Sequence, residues 1–345
     1  MTGSMDMAGM AGMTGRAGTG EVERPARIAI TGSSGLYGRA VVREVRRSLP
    51  EARVLGIDCR PGDTDRADDV WQGDICDPQM AAAVASFAPD TVVHLAYAVQ
   101  PGRDLRGMRA ANIDGTSSVL AAAAACGARR VLVASSATVY GAWPDNPAAC
   151  DESTPLRPCS EYYYSEHKGE VERLVQEFAT AHPQIAVSWT RPAIICGRGV
   201  KNFLSDIFLS LPVLFLPDGN DTPLQFVHQD DVARATVAIL AGSARGPFNL
   251  APADALTHRQ IASLLGVAVV PLPFVILAGM SRLWWLLRMP WFTMPPGLVS
   301  YVRHPWVMTS ERLRRELGFE FEFSSSQAFR ELLVSPSAEP GRRGG

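Results

Sequence analysis

Apolar positions in the first half of the chain come in short, nearly continuous runs, separated by stretches with helical periodicity. The runs are Arg27–Thr31, Arg53–Asp58, Thr91–Leu95 and Arg130–Ser135, with a fifth at Ala186–Thr190. Strands covered on both faces read this way, because neither side of the pleat meets water. Helices are expected between them at Tyr37–Ser48, Gln79–Phe87, Leu105–Cys126 and Glu161–His182. This alternation predicts an α/β fold, a doubly wound parallel sheet with helices on both faces. Past about residue 195 prolines and tryptophans become frequent, which fits short helices and loops in a smaller C-terminal region. Gln225–His228 and Pro247–Leu250 still read as strands, so parts of that region are expected to return to the sheet.

Composition narrows the picture by exclusion. The 345 residues are 47% hydrophobic and 20% charged, ordinary for a folded soluble domain. A formal net charge of -2 carries no electrostatic signature of nucleic-acid binding. The six cysteines form no CxxC pair and no Cys/His cluster with zinc spacing. Free thiols, no metal and a cytoplasmic location are therefore expected. Gln260–Ser281 is uncharged and long enough to span a bilayer, but Pro271 and Pro273 interrupt it and Val267–Val270 reads as a strand. No membrane span is expected. The ends, residues 1–24 and 335–345, hold too little apolar surface to fold.

Two segments carry candidate chemistry. The strand Arg27–Thr31 runs straight into Gly32-Ser33-Ser34-Gly35-Leu36-Tyr37-Gly38, and a helix pattern follows. Glycines let a pyrophosphate approach the backbone, and the helix start meets it with free N–H groups. Gly32, Ser34, Gly35, Leu36, Tyr37 and Gly38 are the candidate phosphate contacts. Asp58 ends the second strand, placed to accept hydrogen bonds from a ribose and to repel a 2′-phosphate, which favours NAD. Arg60 pulls towards NADP. Asp74, followed by Ile75, comes after a third strand, where it would hold an adenine amino group.

The second segment pairs Tyr164 with Lys168, four apart on one helix face. Ser135-Ser136-Ala137-Thr138-Val139-Tyr140-Gly141 follows an apolar strand at its carboxyl end, where α/β sheets place ligands. A free tyrosine titrates near 10, and bringing it to neutrality takes about 4 kcal/mol. An ammonium about 5 Å away supplies roughly 3 kcal/mol of that at an effective dielectric of 20. Lys168 and an oxidised nicotinamide together are thus expected to make Tyr164 a workable acid/base, with a serine hydroxyl orienting the substrate alcohol.

Together these residues resemble the extended short-chain dehydrogenase/reductase superfamily, the NAD-dependent epimerase/dehydratase family. The resemblance runs from about Arg27 to Phe319 and is dense before residue 250. Its motifs are TGxxGxxG at Thr31–Gly38, HLAA at His94-Leu95-Ala96-Tyr97 with tyrosine for the second alanine, and NxxGT at Asn112–Thr116. SSxxVYG lies at Ser135–Gly141, RPxxxxG at Arg191–Gly197 and FVHxDDVA at Phe226–Ala233. The resemblance implies a Rossmann-type sheet and an NAD-binding domain over residues 25–195. Residues 196–334 would form the substrate-binding region. It implies Ser136, Tyr164 and Lys168 as catalytic residues, and adds Leu95, Ala96, Asn112, Arg191 and Pro192 to the NAD contacts. It also implies a homodimer joined through the two long helices.

One departure bears on substrate. Nucleotide-sugar members of the family commonly carry an arginine before FVH to pair with the diphosphate, and the matching positions here are Leu224 and Gln225. Arg191, Arg198 or Lys201 would have to compensate. The expectation is therefore an NAD-dependent oxidoreductase acting on a secondary alcohol or ketone of a small, weakly charged molecule. A nucleotide-sugar epimerase or dehydratase and a non-catalytic dinucleotide sensor are the alternatives.

Overall fold

The computed structural model describes residues 24–61, 67–99, 102, 104–200, 207–209, 212–242, 244–288 and 295–334. The expected disordered ends, apart from Arg24, and Lys201 lie outside them. The five apolar runs become β1 (Arg27–Thr31), β2 (Arg53–Asp58), β4 (Thr91–His94), β5 (Arg130–Ala134) and β6 (Ala186–Pro192), joined by the short β3 (Asp69–Gln72). With β11 (Gly246–Leu250) they form a seven-stranded sheet in the order β11-β6-β5-β4-β1-β2-β3. Every pairing in it is parallel. The chain enters at β1 and winds outward on both sides. This leaves a crevice at the carboxyl ends of β1 and β4, where the strand order reverses. The fold is thus a Rossmann-type doubly wound sheet.

Helices α1 (Leu36–Ser48), α2 (Pro78–Phe87) and α5 (Tyr163–Ala181) match the sequence pattern closely. The expected helix Leu105–Cys126 is helical throughout its core but not uniform. It is α3 (Leu105–Arg109), a π-helical turn over Ala110–Asp114 and α4 (Gly115–Ala125). Asn112 sits in that wide turn and accepts a hydrogen bond from the Ala98 N–H at 2.8 Å, which ties the loop after β4 to the helix.

Of the two later strand segments, one returns to the large sheet and one does not. β11 pairs with β6 as its edge strand. β10 (Phe226–His228) instead pairs with β7 (Ile194–Cys196), and this small sheet leads into α6 (Gln229–Ala241). Two further ribbons complete the C-terminal region: β8 (Val213–Pro217) with β13 (Ala268–Leu272), and β9 (Pro223–Leu224) with β12 (Leu256–Thr257). After β12 come α7 (His258–Leu265) and α8 (Phe274–Leu286), then α9 (Glu311–Leu317) and α10 (Ser325–Leu333). The strand expected at Val267–Val270 is shifted to β13, Ala268–Leu272, and no helix of the described residues is long and apolar enough to cross a membrane.

Candidate active site

The glycine turn is built as its spacing demands. Gly32 has φ +72°, and a Cβ on Gly38 would lie 2.1 Å from the Gly32 carbonyl oxygen. Neither position tolerates a side chain, so the turn must stay tight. Gly35 precedes α1 without any side-chain cap, leaving first-turn N–H groups for an anion. The hydroxyls of Ser33 and Ser34 are buried and meet no hydrogen-bond partner. Asp58 is buried at the end of β2 and accepts from the Ser34 N–H at 2.9 Å and the Arg60 N–H at 3.0 Å. A side-chain-free turn at an uncapped helix start, with a carboxylate one strand away, fits a dinucleotide.

That turn opens into a cavity of about 640 Å³. Gly32, Gly35, Leu36, Tyr37, Gly38, Asp58, Asp74, Ile75, Leu95 and Ala96 line it, as do Ser136, Tyr164, Lys168 and Pro192. Three expected contacts do not reach its wall. Ser34 is drawn to Asp58 through its backbone. Asn112 is fully buried in the π turn. Arg191 is spent on Glu172, its guanidinium 2.6 Å from the carboxylate with both side chains almost inaccessible. A guanidinium so engaged, and bonded also to Tyr140 and the Glu152 carbonyl, has most of its donors taken. Tyr37 lines the cavity, but its hydroxyl bonds Thr190 and Thr236.

At the reacting end, Ser136 follows β5 and caps the 3-10 turn Ala137–Tyr140. Its hydroxyl accepts from Thr138 at 3.0 Å and shares the cavity wall with the Tyr164 phenol. Lys168 lies one helical turn beyond Tyr164. Its ammonium donates to the Ala134 carbonyl at 2.7 Å and rests 3.5 Å from the centre of the Tyr97 ring. It is 5.9 Å from the Tyr164 ring, and the Tyr97 and Tyr164 rings meet edge to face at 5.5 Å. Tyrosine in the second-alanine position thus supplies an aromatic face to the buried ammonium.

The electrostatics differ from the sequence expectation. Burial pushes the Tyr164 phenol above its ordinary value, while the Ser136 hydrogen bond pulls the other way. Burial also pulls the Lys168 ammonium down to about 7, opposed by Glu172. The reason is desolvation: in a closed pocket a charge loses more from leaving water than one neighbour returns. This has a measurable consequence for stability. The unfolded chain holds the Lys168 proton up to its ordinary value, the folded chain only to about 7. The burial cost is therefore fully present below pH 7 and fades as pH rises towards the unfolded value. Lys168→Met is expected to raise the melting temperature at pH 6 and to lose that advantage by pH 10. A variant no more stable than the parent at pH 6 would contradict the cost.

Glu172 belongs to none of the sequence motifs, although it stands four residues after Lys168 on the same helix. It is fully buried and accepts from Ser135, Trp189 and Arg191. Arg191 in turn donates to the Tyr140 hydroxyl at 2.7 Å, and Tyr140 donates to Asn249. One carboxylate thereby locks β5, β6 and the serine-bearing turn to the helix that carries Tyr164 and Lys168. His94 is held between Thr31 and Thr116 and burial brings it down to about 3, so it is a neutral structural bridge.

A model of the NAD dependent epimerase/dehydratase family matches residues 28–251. An uncharacterized protein of Mycobacterium tuberculosis is 28% identical over 335 residues, covering 92% of this chain and 87% of its own. A 3-diazoavenalumate denitrifying reductase of a Streptomyces species is 29% identical over 242 residues, 64% of this chain and 74% of that protein. Among solved structures, UDP-glucose 4-epimerase of Thermus thermophilus, in complex with NAD, superposes with TM-score 0.69 at 19% identity. It covers 89% of this chain and 97% of its own. A dTDP-glucose 4,6-dehydratase of Streptomyces venezuelae with NAD bound gives 0.68 at 21% identity, covering 89% and 96%. These likenesses show the fold.

Proposed function

The chain belongs to the NAD dependent epimerase/dehydratase family, an enzyme family using NAD, and from that premise we propose that it interconverts a secondary alcohol and a ketone on a small, weakly charged molecule. Residues 25–195 hold the cofactor and residues 196–334 the substrate. The carrying observation is that Ser136, Tyr164 and Lys168 share one cavity wall with the glycine turn. When bound, the oxidised nicotinamide supplies the hydride acceptor and a fixed positive charge. Tyr164 takes the proton from the substrate hydroxyl, and returns it in the reductive direction. Ser136, on the same cavity wall as the phenol, orients the substrate oxygen and shares its proton. Lys168 stabilises the phenolate as it forms, its own ammonium supported by Glu172 and the Tyr97 face.

The choice of substrate class rests on what stands where a diphosphate would be held. Leu224 lines the cavity. The Gln225 amide is spent on Pro252 and Met308. Arg191 is bound to Glu172, and Arg198 pairs with Glu331 at 3.3 Å. Arg60 lines the cavity beside Asp58, at the glycine-turn end. The test is oxidation or reduction of a panel of secondary alcohols and ketones, followed at the reduced-nicotinamide absorbance band. The UDP- and dTDP-sugar enzymes among the similar folds keep a nucleotide-sugar substrate as the competing reading. A rise in melting temperature with UDP- or dTDP-sugars, and none with simple ketones, would decide for it.

Cofactor choice has its own test. Asp58→Ala removes the carboxylate that meets the ribose and would repel a 2′-phosphate. Calorimetric titration should show the preference for NAD over NADP shrink about tenfold to a hundredfold, the worth of one or two charge-assisted hydrogen bonds. An unchanged ratio would remove Asp58 from the site. A cytoplasmic homodimer, joined through the helical run Leu105–Ala125 and α5, completes the proposal, and sedimentation of the full chain tests the dimer.

A further inference from the structure

His258 has no part in the family motifs, yet it lines the same cavity. It is the first residue of α7, directly after the cap Thr257. Thr257 and Gln260 satisfy each other in a capping box, so the helix start makes no demand on the His258 side chain. Its Nδ1 lies 2.8 Å from the Thr222 carbonyl oxygen. A carbonyl oxygen can only accept, so Nδ1 carries the proton and Nε2 of the neutral ring is an acceptor. That Nε2 is buried and meets no hydrogen-bond partner. The ring is 3% exposed and forms part of the cavity wall. Burial holds the imidazole below its ordinary value, which keeps the acceptor form at neutral pH. A buried acceptor without a donor costs stability and is rare in folded proteins. A site that a ligand completes is one place where such a cost persists.

The position sharpens the meaning. Thr222, which anchors the ring, directly precedes β9, and Leu224 of β9 lines the cavity. Phe215, Leu277 and Trp306 line it as well. This part of the wall therefore sets apolar surface beside an unpartnered neutral acceptor, where a diphosphate would need donors and positive charge. We propose that His258 Nε2 accepts a hydrogen bond from a hydroxyl or N–H of the substrate remote from the reacting carbon. The substrate class is then an apolar secondary alcohol or ketone that carries a second donor. This rests on the oxidoreductase reading and deepens it.

The test uses the full chain with NADH and rigid aryl ketones: acetophenone and 1-tetralone, each against its ring-hydroxylated forms. At least one hydroxylated ketone should exceed its parent about tenfold in kcat/KM, expressed in KM, or raise the melting temperature of the NAD-loaded protein where the parent does not. His258→Asn keeps an amide N–H for Thr222 but has nothing in place of Nε2, and should bring that ratio close to one. His258→Gln, whose longer amide reaches the Nε2 position, should restore part of it. The proposal fails if no hydroxylated ketone is preferred over its parent, or if the preference survives in His258→Asn. The parent reading fails separately. If hydroxyl-dependent binding is lost in His258→Asn while no ketone turns over, His258 is an acceptor in a site that does other chemistry.

Discussion

Tyr164→Phe is expected to lower kcat by about 10²- to 10⁴-fold, the usual worth of a positioned acid/base. The substitution removes only the phenol oxygen and leaves the ring in place against Tyr97 and Tyr162. Folding and cofactor binding should therefore survive, with a melting temperature within a few degrees of the parent and NAD affinity nearly unchanged. Single-turnover measurement separates this from a binding defect, because the loss should sit in the chemical step. The acid/base assignment does not survive a Tyr164→Phe enzyme with full turnover. The geometry explains why the effect should be large: burial makes Tyr164 a reluctant acid, so its ionisation depends on neighbours fixed at the site. Water entering the pocket would not substitute for it at the same orientation.

Glu172→Ala is expected to destabilise the protein by about 3–5 kcal/mol, the cost of breaking a buried ion pair from one side. The variant strands Arg191, only 3% of whose side chain reaches solvent, and unties Ser135 and Trp189 as well. Thermal denaturation should show a fall of about 10 °C. Activity measured below the melting transition should also drop. Glu172 supports the Lys168 ammonium, and its loss would lower the charged fraction of a lysine already brought down to about 7. The pH–rate profile should then move to lower pH on the limb that Lys168 controls, a change that loosened packing alone would not produce. A stability change under 1 kcal/mol would mean that Arg191 finds another partner and that the carboxylate does not clamp the strands to the helix. Tested together, Glu172→Ala and Arg191→Met measure the coupling, since the double variant should be more stable than Glu172→Ala alone.

The sheet was legible because most of its strands obey a local rule, the exposed edge strand β3 excepted. Ile28, Ile30, Val92, Val93, Leu132 and Val187 are apolar on both faces of their strands, and burial on both faces is what the structure shows. The glycine turn was legible for a similar reason. Gly32 and Gly38 are required by backbone geometry within seven residues, and no distant contact can relax that requirement. Tyr164 and Lys168 share a face through helical spacing alone. What the pattern misplaced were groups whose role depends on partners far along the chain. Arg191 sits at a motif position next to the cavity, yet Glu172 takes it, nineteen residues away. Asn112 reads as a cofactor contact, but a π turn buries it against Ala98. His258 gives no signal in the sequence, because nothing near it shows that Thr222 claims one ring nitrogen and leaves the other facing no donor.

The amino-acid order by itself determined the parallel sheet, the glycine turn and the Tyr–Lys pair, since each follows from periodicity or steric limits within a few residues. Only the tertiary structure decided which charges are paired, which hydroxyls and nitrogens stay unpartnered, and how far Tyr164 and Lys168 are moved from their solution acidity. Those properties are set by desolvation and by hydrogen bonds between distant segments, and both come into being only when the chain closes around the cavity.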